Sequence, residues 1–344
     1  MADRPDRRRR LIAIGVSAPI LLTGAILLTG GCTGIQSTLD PAGIGAERVA
    51  SLFWVMLTGA GIIWVMVMAI AIHAARRRRP ISLFKAKRFI IAMGAIFPTV
   101  VLTALLVHGL RLMPELRTGG GDLTIEVVGE QFWWRVVYHP PAGHPAAGTP
   151  VVSANEIRLP AGAEVDLVLN SPDVIHSFWI PAIAGKIDMI PGRTTRLTLK
   201  PTRPGVYRGA CAEFCGTAHA LMALTAEVMP QADFDRWLAD QAGPARSPAP
   251  GTPAARGARI FADQGCGACH SVRGTDARGT IGPDLTRIGG RHSIGAGILP
   301  NTPARLADFI SATTTVKPGV LMPPYGMLAP QALADLSAYL ESLE

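Results

Sequence analysis

Two long apolar runs separated by a basic loop constrain this chain more than any other feature. From Ala50 to His73, ASLFWVMLTGAGIIWVMVMAIAIH contains no Asp, Glu, Lys or Arg, and it exceeds the roughly 20 residues a helix needs to cross a bilayer. A second such run, FIIAMGAIFPTVVLTALLVHGL, extends from Phe89 to Leu110. Pro98 within it removes one helix hydrogen bond, which membrane helices tolerate where neighbours re-satisfy the carbonyl. These runs predict a two-helix transmembrane hairpin over residues 45–113, with helices at about 50–73 and 89–110. The net charge of +8 is concentrated here, with +3 in residues 1–10 and +7 in residues 74–88, which leaves −2 on everything else. The basic loop marks the cytoplasmic side, so the chain beyond about Arg111 lies outside a cytoplasmic membrane, and no basic face for nucleic acid remains.

Residues 1–31 have a basic start, an apolar stretch and small residues ahead of Cys32, the layout of a secretory signal. The segment LLTGGC resembles a bacterial lipoprotein processing site, which would leave Cys32 as a lipid-bearing N-terminus. Thr29 departs from that pattern, standing where an aliphatic residue is usual. A plain cleaved signal and an uncleaved first helix are the other two readings.

After Gly119 to Gly121 the pattern changes to short alternating segments. LTIEVVG, FWWRVVY, NEIRLP, EVDLVLN, TTRLTLK, GVYRGA and ALTAEVM read as strands separated by Pro, Gly and Asn turns. They predict an all-β sandwich or small barrel over residues 119–241, closed by a short amphipathic helix, QADFDRWLADQ. Residues 242–254, rich in Pro and Ala, read as a semi-extended linker. Residues 255–344 form a small helical domain, in which Leu333, Leu336, Leu340 and Leu343 share one helix face.

The chemistry lies in two short stretches. CAEFCGTAHALM, Cys211 to Met222, places two thiols four apart, an imidazole four further on and a thioether three beyond. Read with His176 in SPDVIHSFWIP, this soft and borderline donor set suits copper or zinc better than magnesium or calcium. A disulfide or buried thiols is the plainer reading of the two cysteines, and a thiol-based copper chaperone the functional rival. CGACH, Cys266 to His270, carries the signature of covalent c-type haem attachment, against a zinc or thiol-redox CxxC. Two thiols add to the porphyrin vinyls, His270 is the proximal ligand, and Met322 in MPPY is the expected sulfur ligand, with Met327 as the alternative. All five cysteines, Cys32, Cys211, Cys215, Cys266 and Cys269, then have roles without a disulfide.

The C-terminal segment, with IGPDL at Ile281 to Leu285, resembles class I cytochromes c, in which the proline of this motif (Pro283) packs near the proximal histidine. His292 is expected at the surface or in a loop, and His139 and His144 in a solvated hairpin. The metal loop, taken with SPDVIHSFWIPAIAGKIDMIPGR, resembles subunit II of haem-copper cytochrome c oxidases over roughly residues 30–240. The resemblance implies a cupredoxin-like sandwich holding a binuclear CuA centre. Cys211 and Cys215 would bridge both coppers, His176 and His219 would each bind one, and Met222 and the Glu213 carbonyl would be weak ligands. It also implies a magnesium ion reached by the Glu213 side chain at the interface with subunit I. GEQFWWRVVY resembles the family's aromatic motif, but Phe132 replaces the first tryptophan, a main electron-entry residue in relatives, while Trp134 matches the second. Phe132, Trp133 and Trp134 are thus the electron-transfer candidates; read simply as alternating strand residues, two of them would point outward. Ile91 stands where many relatives carry a glutamate, so no proton-entry role is transferred.

The implied protein is subunit II of a caa-type bacterial respiratory oxidase, a multi-domain membrane protein whose two-pass anchor sits in the inner membrane and whose CuA and cytochrome c domains face the periplasmic side. Its partners would be subunits I and III, membrane lipid and an electron donor such as a cytochrome c or an upstream respiratory complex. Oxygen chemistry would reside in subunit I. A stand-alone membrane-anchored electron carrier is the alternative. Tethering by a short flexible linker would raise the effective concentration of haem c near copper to about millimolar.

Overall fold

The structure, a computed structural model, describes residues 32–76, 82–112 and 120–344. The expected signal segment 1–31 lies outside the described residues. Helices α1 (Ile44–Arg76) and α2 (Leu83–Leu112) are both long and apolar enough to cross a membrane, and the most apolar stretch of each is wholly unburied. Trp54, Ile62, Trp64 and Leu102 stand exposed on them, a surface suited to lipid. Both helices outrun the uncharged stretches because flanking residues such as Glu47 and Arg76 continue the helix past them. A π-helical turn, Ala92–Ile96, occupies α2 just ahead of Pro98, where the missing N–H interrupts the regular ladder.

The anchor is jointed to the β domain by close backbone contact. Ala42 N–H donates to the Ala182 carbonyl at 2.6 Å and Ala46 N–H to that of Ile183 at 3.0 Å. A Cβ on Gly43 would stand 2.6 Å from the Ile183 oxygen, so the approach requires glycine there. Both Arg203 terminal nitrogens reach one Asp40 oxygen at 2.9 Å and fasten the segment that leads into α1.

Ten strands build the β domain. They are β1 (Leu123–Glu130), β2 (Trp133–His139), β3 (Val151–Ala154), β4 (Glu156–Pro160), β5 (Val165–Asn170), β6 (His176–Trp179), β7 (Ile187–Met189), β8 (Thr195–Leu199), β9 (Gly205–Cys211) and β10 (Ala223–Met229). They form two five-stranded sheets, ordered β3-β2-β1-β5-β8 and β4-β10-β9-β6-β7. The β1–β5 and β4–β10 pairs are parallel, so the sandwich is mixed. All seven expected segments are strands, and β1 and β5 alternate buried and half-buried residues along their whole length. Sequence reading missed β3, β6 and β7, which at three or four residues are too short to show a period of two. Val127, Trp134, Leu167, Phe178 and Leu224 fill the space between the sheets. Helix α3 (Gln231–Gln241) closes one end with Phe234 and Leu238.

The C-terminal domain comprises α4 (Pro253–Asp263), a small hairpin of β11 (Ser293–Ile294) and β12 (Leu299–Pro300), α5 (Pro303–Ser311), a single turn α6 (Thr313–Val316) and α7 (Pro330–Glu341). Thr252 caps α4, its hydroxyl accepting from Ala255 N–H, with Pro253 at the first position. Helices α4 and α7 cross at Gly257, where a Cβ would meet the Asp335 carbonyl oxygen at 2.0 Å. Arg256 grips both Asp335 oxygens at 2.7 Å beside that crossing.

The segment after α3 is extended but not loose. Ala245 N–H donates to the Arg273 carbonyl at 2.8 Å, and the Arg273 guanidinium returns to the Gln241 carbonyl at 2.7 Å. The two domains meet directly as well. Ala223 N–H donates to the Ala296 carbonyl (3.0 Å), Arg208 to that of Gly297 (2.9 Å) and Arg135 to that of Thr280 (2.7 Å). Val320 packs against the core of the β sandwich. Proximity therefore rests on a formed interface in addition to the tether.

Candidate metal centre and haem cavity

Strand β9 ends on Cys211, β6 starts on His176 beside it, and a 3-10 turn, His219–Leu221, leads into β10. In the β6–β9 register Phe178 lies opposite Cys211, which brings one ligand candidate from each strand to the same end of one sheet. Gly129 of β1 gives the imidazole room, since a Cβ there would be 3.0 Å from the His176 ring. Four side chains chain together: His176 Nδ1 to Cys211 Sγ at 3.7 Å, Cys211 Sγ to Cys215 Sγ at 3.9 Å, and Cys215 Sγ to His219 Nδ1 at 3.6 Å. Met222 Sδ is 3.9 Å from Cys215 Sγ, and the Glu213 carbonyl oxygen 3.2 Å from Cys211 Sγ. A disulfide needs about 2.05 Å, so the two cysteines are free thiols facing each other.

The electrostatics of this pocket call for a cation. Burial pushes the Cys211 thiol up, but hydrogen bonds from His176 and from backbone donors outweigh it and bring the thiol below its ordinary value. Burial, and then the charge on Cys211, push Cys215 the other way. Two thiolates this close ionise together only if positive charge is supplied between them. His176 is fully buried, and its Nε2 lies 2.9 Å from Asp173 Oδ1. An N–H there donates to the carboxylate and turns Nδ1 toward Cys211. Burial pushes the imidazole down, but Cys211 and Asp173 outweigh it and hold it above its ordinary value, so Nδ1 would give up a proton on binding a metal. Among the described residues, the groups of three or more metal-capable side chains are His176–Cys211–Cys215 and Glu156–Glu227–His292; the Glu213 carboxylate and the His219 imidazole are in neither, although His219 Nδ1 lies 3.6 Å from Cys215 Sγ.

Cys266, Cys269, His270 and Met322 line a single cavity of about 290 Å³ in the C-terminal domain, which Phe309, Ile310 and Leu340 also help to wall. Met327 is 75% exposed. His270 Nδ1 lies 2.8 Å from the Pro283 carbonyl, so its N–H points there and Nε2 is left to the cavity. Burial holds that imidazole below its ordinary value, keeping it neutral as a ligand must be. The cavity also holds an orphan: Arg291 lines it, and its buried Nε has no hydrogen-bond partner among the described residues. Two thiols, a neutral imidazole, a thioether and a guanidinium whose Nε is unpaired although a terminal nitrogen donates to the Asp284 carbonyl at 2.6 Å fit a haem with its two carboxylates.

The wall between cavity and metal loop is Gln131–Phe132–Trp133. All three line the cavity, and Gln131 Nε2 donates to the Cys215 carbonyl at 2.5 Å. Phe132 sits in the β1–β2 turn and not on a strand, 4% exposed, with its ring against Gly216 of the metal loop and Gly319 of the C-terminal domain. Trp134 is fully buried, 6.2 Å from the His176 ring, and Trp133 is half-buried under Arg135. One aromatic of the three thus points outward, not two, because a turn and a second domain intervene. His292 is likewise more than a loop residue. Its N–H donates to Glu156 at 2.9 Å and its Nε2 lies 3.0 Å from Glu227, both across the domain interface. His144 is half-buried, its Nε2 3.3 Å from the Asp235 carbonyl. Sequence reading also missed Asp173, Gln131, Arg291 and Lys317; of these, Asp173 alone carried a signal, standing three residues before His176.

Fold and site together define a membrane-anchored β sandwich with a thiol–imidazole metal pocket, joined to a c-type cytochrome domain. Comparison with known proteins agrees. Residues 146–229 match the family of the cytochrome c oxidase subunit II periplasmic domain, and residues 254–344 match the cytochrome c family. Cytochrome c oxidase subunit 2 of Alkalihalophilus pseudofirmus is 30% identical over 334 residues, covering 92% of this chain and 94% of the relative. That of a Bacillus species is 31% identical over 257 residues, covering 72% and 69%. The chain belongs to the cytochrome c oxidase subunit 2 family. Among solved structures, the periplasmic domain of subunit II of cytochrome oxidase from Bradyrhizobium japonicum is 29% identical over 36% of this chain and 95% of that one, with a TM-score of 0.32.

Proposed function

We propose that this chain relays electrons from an external donor, through a covalently held haem c and then a binuclear copper centre, to subunit I of a terminal oxidase, where oxygen is reduced to water. The observation that carries the reading is the pair of facing thiols at 3.9 Å, flanked by imidazole nitrogens at 3.7 and 3.6 Å. Cys211 and Cys215 would hold the copper centre together with His176 and His219, and Met222 and the Glu213 carbonyl would be weaker donors. Cys266 and Cys269 would hold the haem covalently and His270 and Met322 would bind its iron, with Arg291 meeting a carboxylate. Bound there, the two cofactors supply one-electron redox chemistry. The protein holds their ligands on a rigid sheet end and a packed helical wall, so little rearranges between oxidation states. Phe132, Trp133 and Trp134 are the side chains between and beside the two sites, and we assign the coupling to them.

The anchor and the basic loop support insertion in a bacterial inner membrane with both domains outside. Subunits I and III would be the neighbours, and the Glu213 carboxylate would complete a magnesium site with subunit I. The test is purification of the native complex from membranes. Two coppers with near-infrared absorption, one covalent haem c and a co-purifying multi-helix haem and copper subunit are expected. One copper or none would overturn the copper assignment, and isolation without that subunit would leave a stand-alone carrier.

A further inference from the structure

One buried cation has no part in the ligand sets above. Lys317 follows the single turn α6 and is 2% exposed. Its Nζ has three protons to donate, and one hydrogen bond is formed, to the Gly295 carbonyl at 2.6 Å. The side chain lines the same cavity as His270 and Met322. Both ends of that hydrogen bond belong to segments that face the metal domain. Gly319, two residues on, packs against Phe132 and Thr217, and Ala296, next to Gly295, accepts from Ala223 N–H. Among the described residues no carboxylate forms a salt bridge with Lys317, and its one hydrogen bond is to a neutral carbonyl.

A buried ammonium without an acid partner is costly unless its surroundings supply negative charge. The haem fitted above brings carboxylates at its edge. We infer that Lys317 is a redox-tuning cation, set in the wall of the haem cavity on the side that faces the metal domain, whose charge holds up the reduction potential of the haem. The physics is Coulombic: the reduced haem carries one positive charge fewer than the oxidised one, so a fixed cation beside it disfavours the oxidised form. Burial weakens screening and makes the effect large. Burial also pushes the ammonium down to about 7, against the pull of Cys215, so negative charge from a seated haem works to keep it protonated. Lys317 touches no reacting atom on this reading; it acts on the energy of the electron at its neighbour.

The inference rests on the proposed haem assignment, so haem content is read first. The experiment uses the native oxidase carrying Lys317→Gln, which keeps a donor for the Gly295 carbonyl but loses the charge, and Lys317→Arg, which keeps the charge. Covalent haem is scored by its absorption spectrum, and the haem c midpoint is then measured by redox titration. The Gln variant is expected to lose on the order of tenfold in the reduction equilibrium, which is 59 mV for a one-electron couple. The Arg variant is expected to stay near wild type. A Gln variant with bound haem and the wild-type midpoint overturns the inference. Loss of haem from the Gln variant alone supports it, since the charge is then needed to seat the haem carboxylates. Loss from both variants assigns Lys317 to packing and refutes it. Wild-type protein without covalent haem instead refutes the functional reading beneath it.

Discussion

Truncation of Glu156 offers the sharpest test of whether the cytochrome domain is seated on the sandwich by the contacts described. Glu156, 4% exposed on β4, accepts the His292 N–H at 2.9 Å across the interface and pairs with Arg158 at 3.2 Å within its own domain. In Glu156→Ala the His292 amide loses its acceptor, while Arg158 retains Glu227 at 3.1 Å and a hydrogen bond to the Gly290 carbonyl at 3.2 Å. A hydrogen bond to a charged group is worth about 1.5–3 kcal/mol. Each 1.4 kcal/mol is tenfold, so the opening equilibrium of the interface should rise by about 10- to 150-fold. Hydrogen exchange of the full complex reads that equilibrium directly. Peptides spanning 292–297 should exchange faster by this factor, with β5 and the α4–α7 pair keeping their protection. Unchanged exchange at 292–297 would refute the reasoning, and so would a uniform loss through the sandwich, which would make Glu156 a folding residue and not a docking one.

Three further outcomes are expected. Removing the carboxylate behind His176 in Asp173→Ala should cost 10- to 100-fold in metal retention, the usual loss when a ligand's orienting partner goes, measured as copper remaining after dialysis against a chelator. Met322→Leu should abolish the sulfur-ligand signature in the haem spectrum while Met327→Leu leaves it intact, because Met322 lines the cavity and Met327 is 75% exposed. The hydrogen bonds from Arg256 hold the Asp335 carboxyl below its ordinary value of 3.8. Its contribution to stability is therefore present above the unfolded value and lost as pH falls through the lower folded one. Thermal unfolding of the chain should show that acid-limb loss, and Asp335→Asn should remove it.

How much was legible from the sequence follows from the range of each interaction. Both membrane helices, the seven longer strands and the two haem cysteines with their histidine are local patterns, carried by runs or spacings of a few residues. The residues around the metal pocket were partly legible for the same reason: Cys211, Cys215, His219 and Met222 lie within one loop. His176 comes from another strand; donor chemistry and the likeness to a family grouped it with them, and the β6–β9 pairing supplies the contact. Gln131, Arg291 and Lys317 left no trace because what defines them is burial against another segment. A lone arginine or lysine in a loop reads as solvated until a second chain segment covers it.

Phe132 shows what such covering does to the choice of side chain. In relatives with a tryptophan here, the indole brings an N–H that needs water or an acceptor. In this chain the ring at 132 is closed between Gly216 on the metal loop and Gly319 on the cytochrome domain, with 4% of its surface exposed. Both neighbours are glycines with positive φ, so the ring meets backbone on two sides. An indole in that slot would be larger and would carry a donor into an apolar contact, at a cost of about 1–3 kcal/mol if the donor found no partner. Phenylalanine fills the gap with no polar atom to satisfy. The departure from the family motif thus fits a seated second domain: position 132 is not open to solvent but forms part of the wall between the cavity and the metal loop.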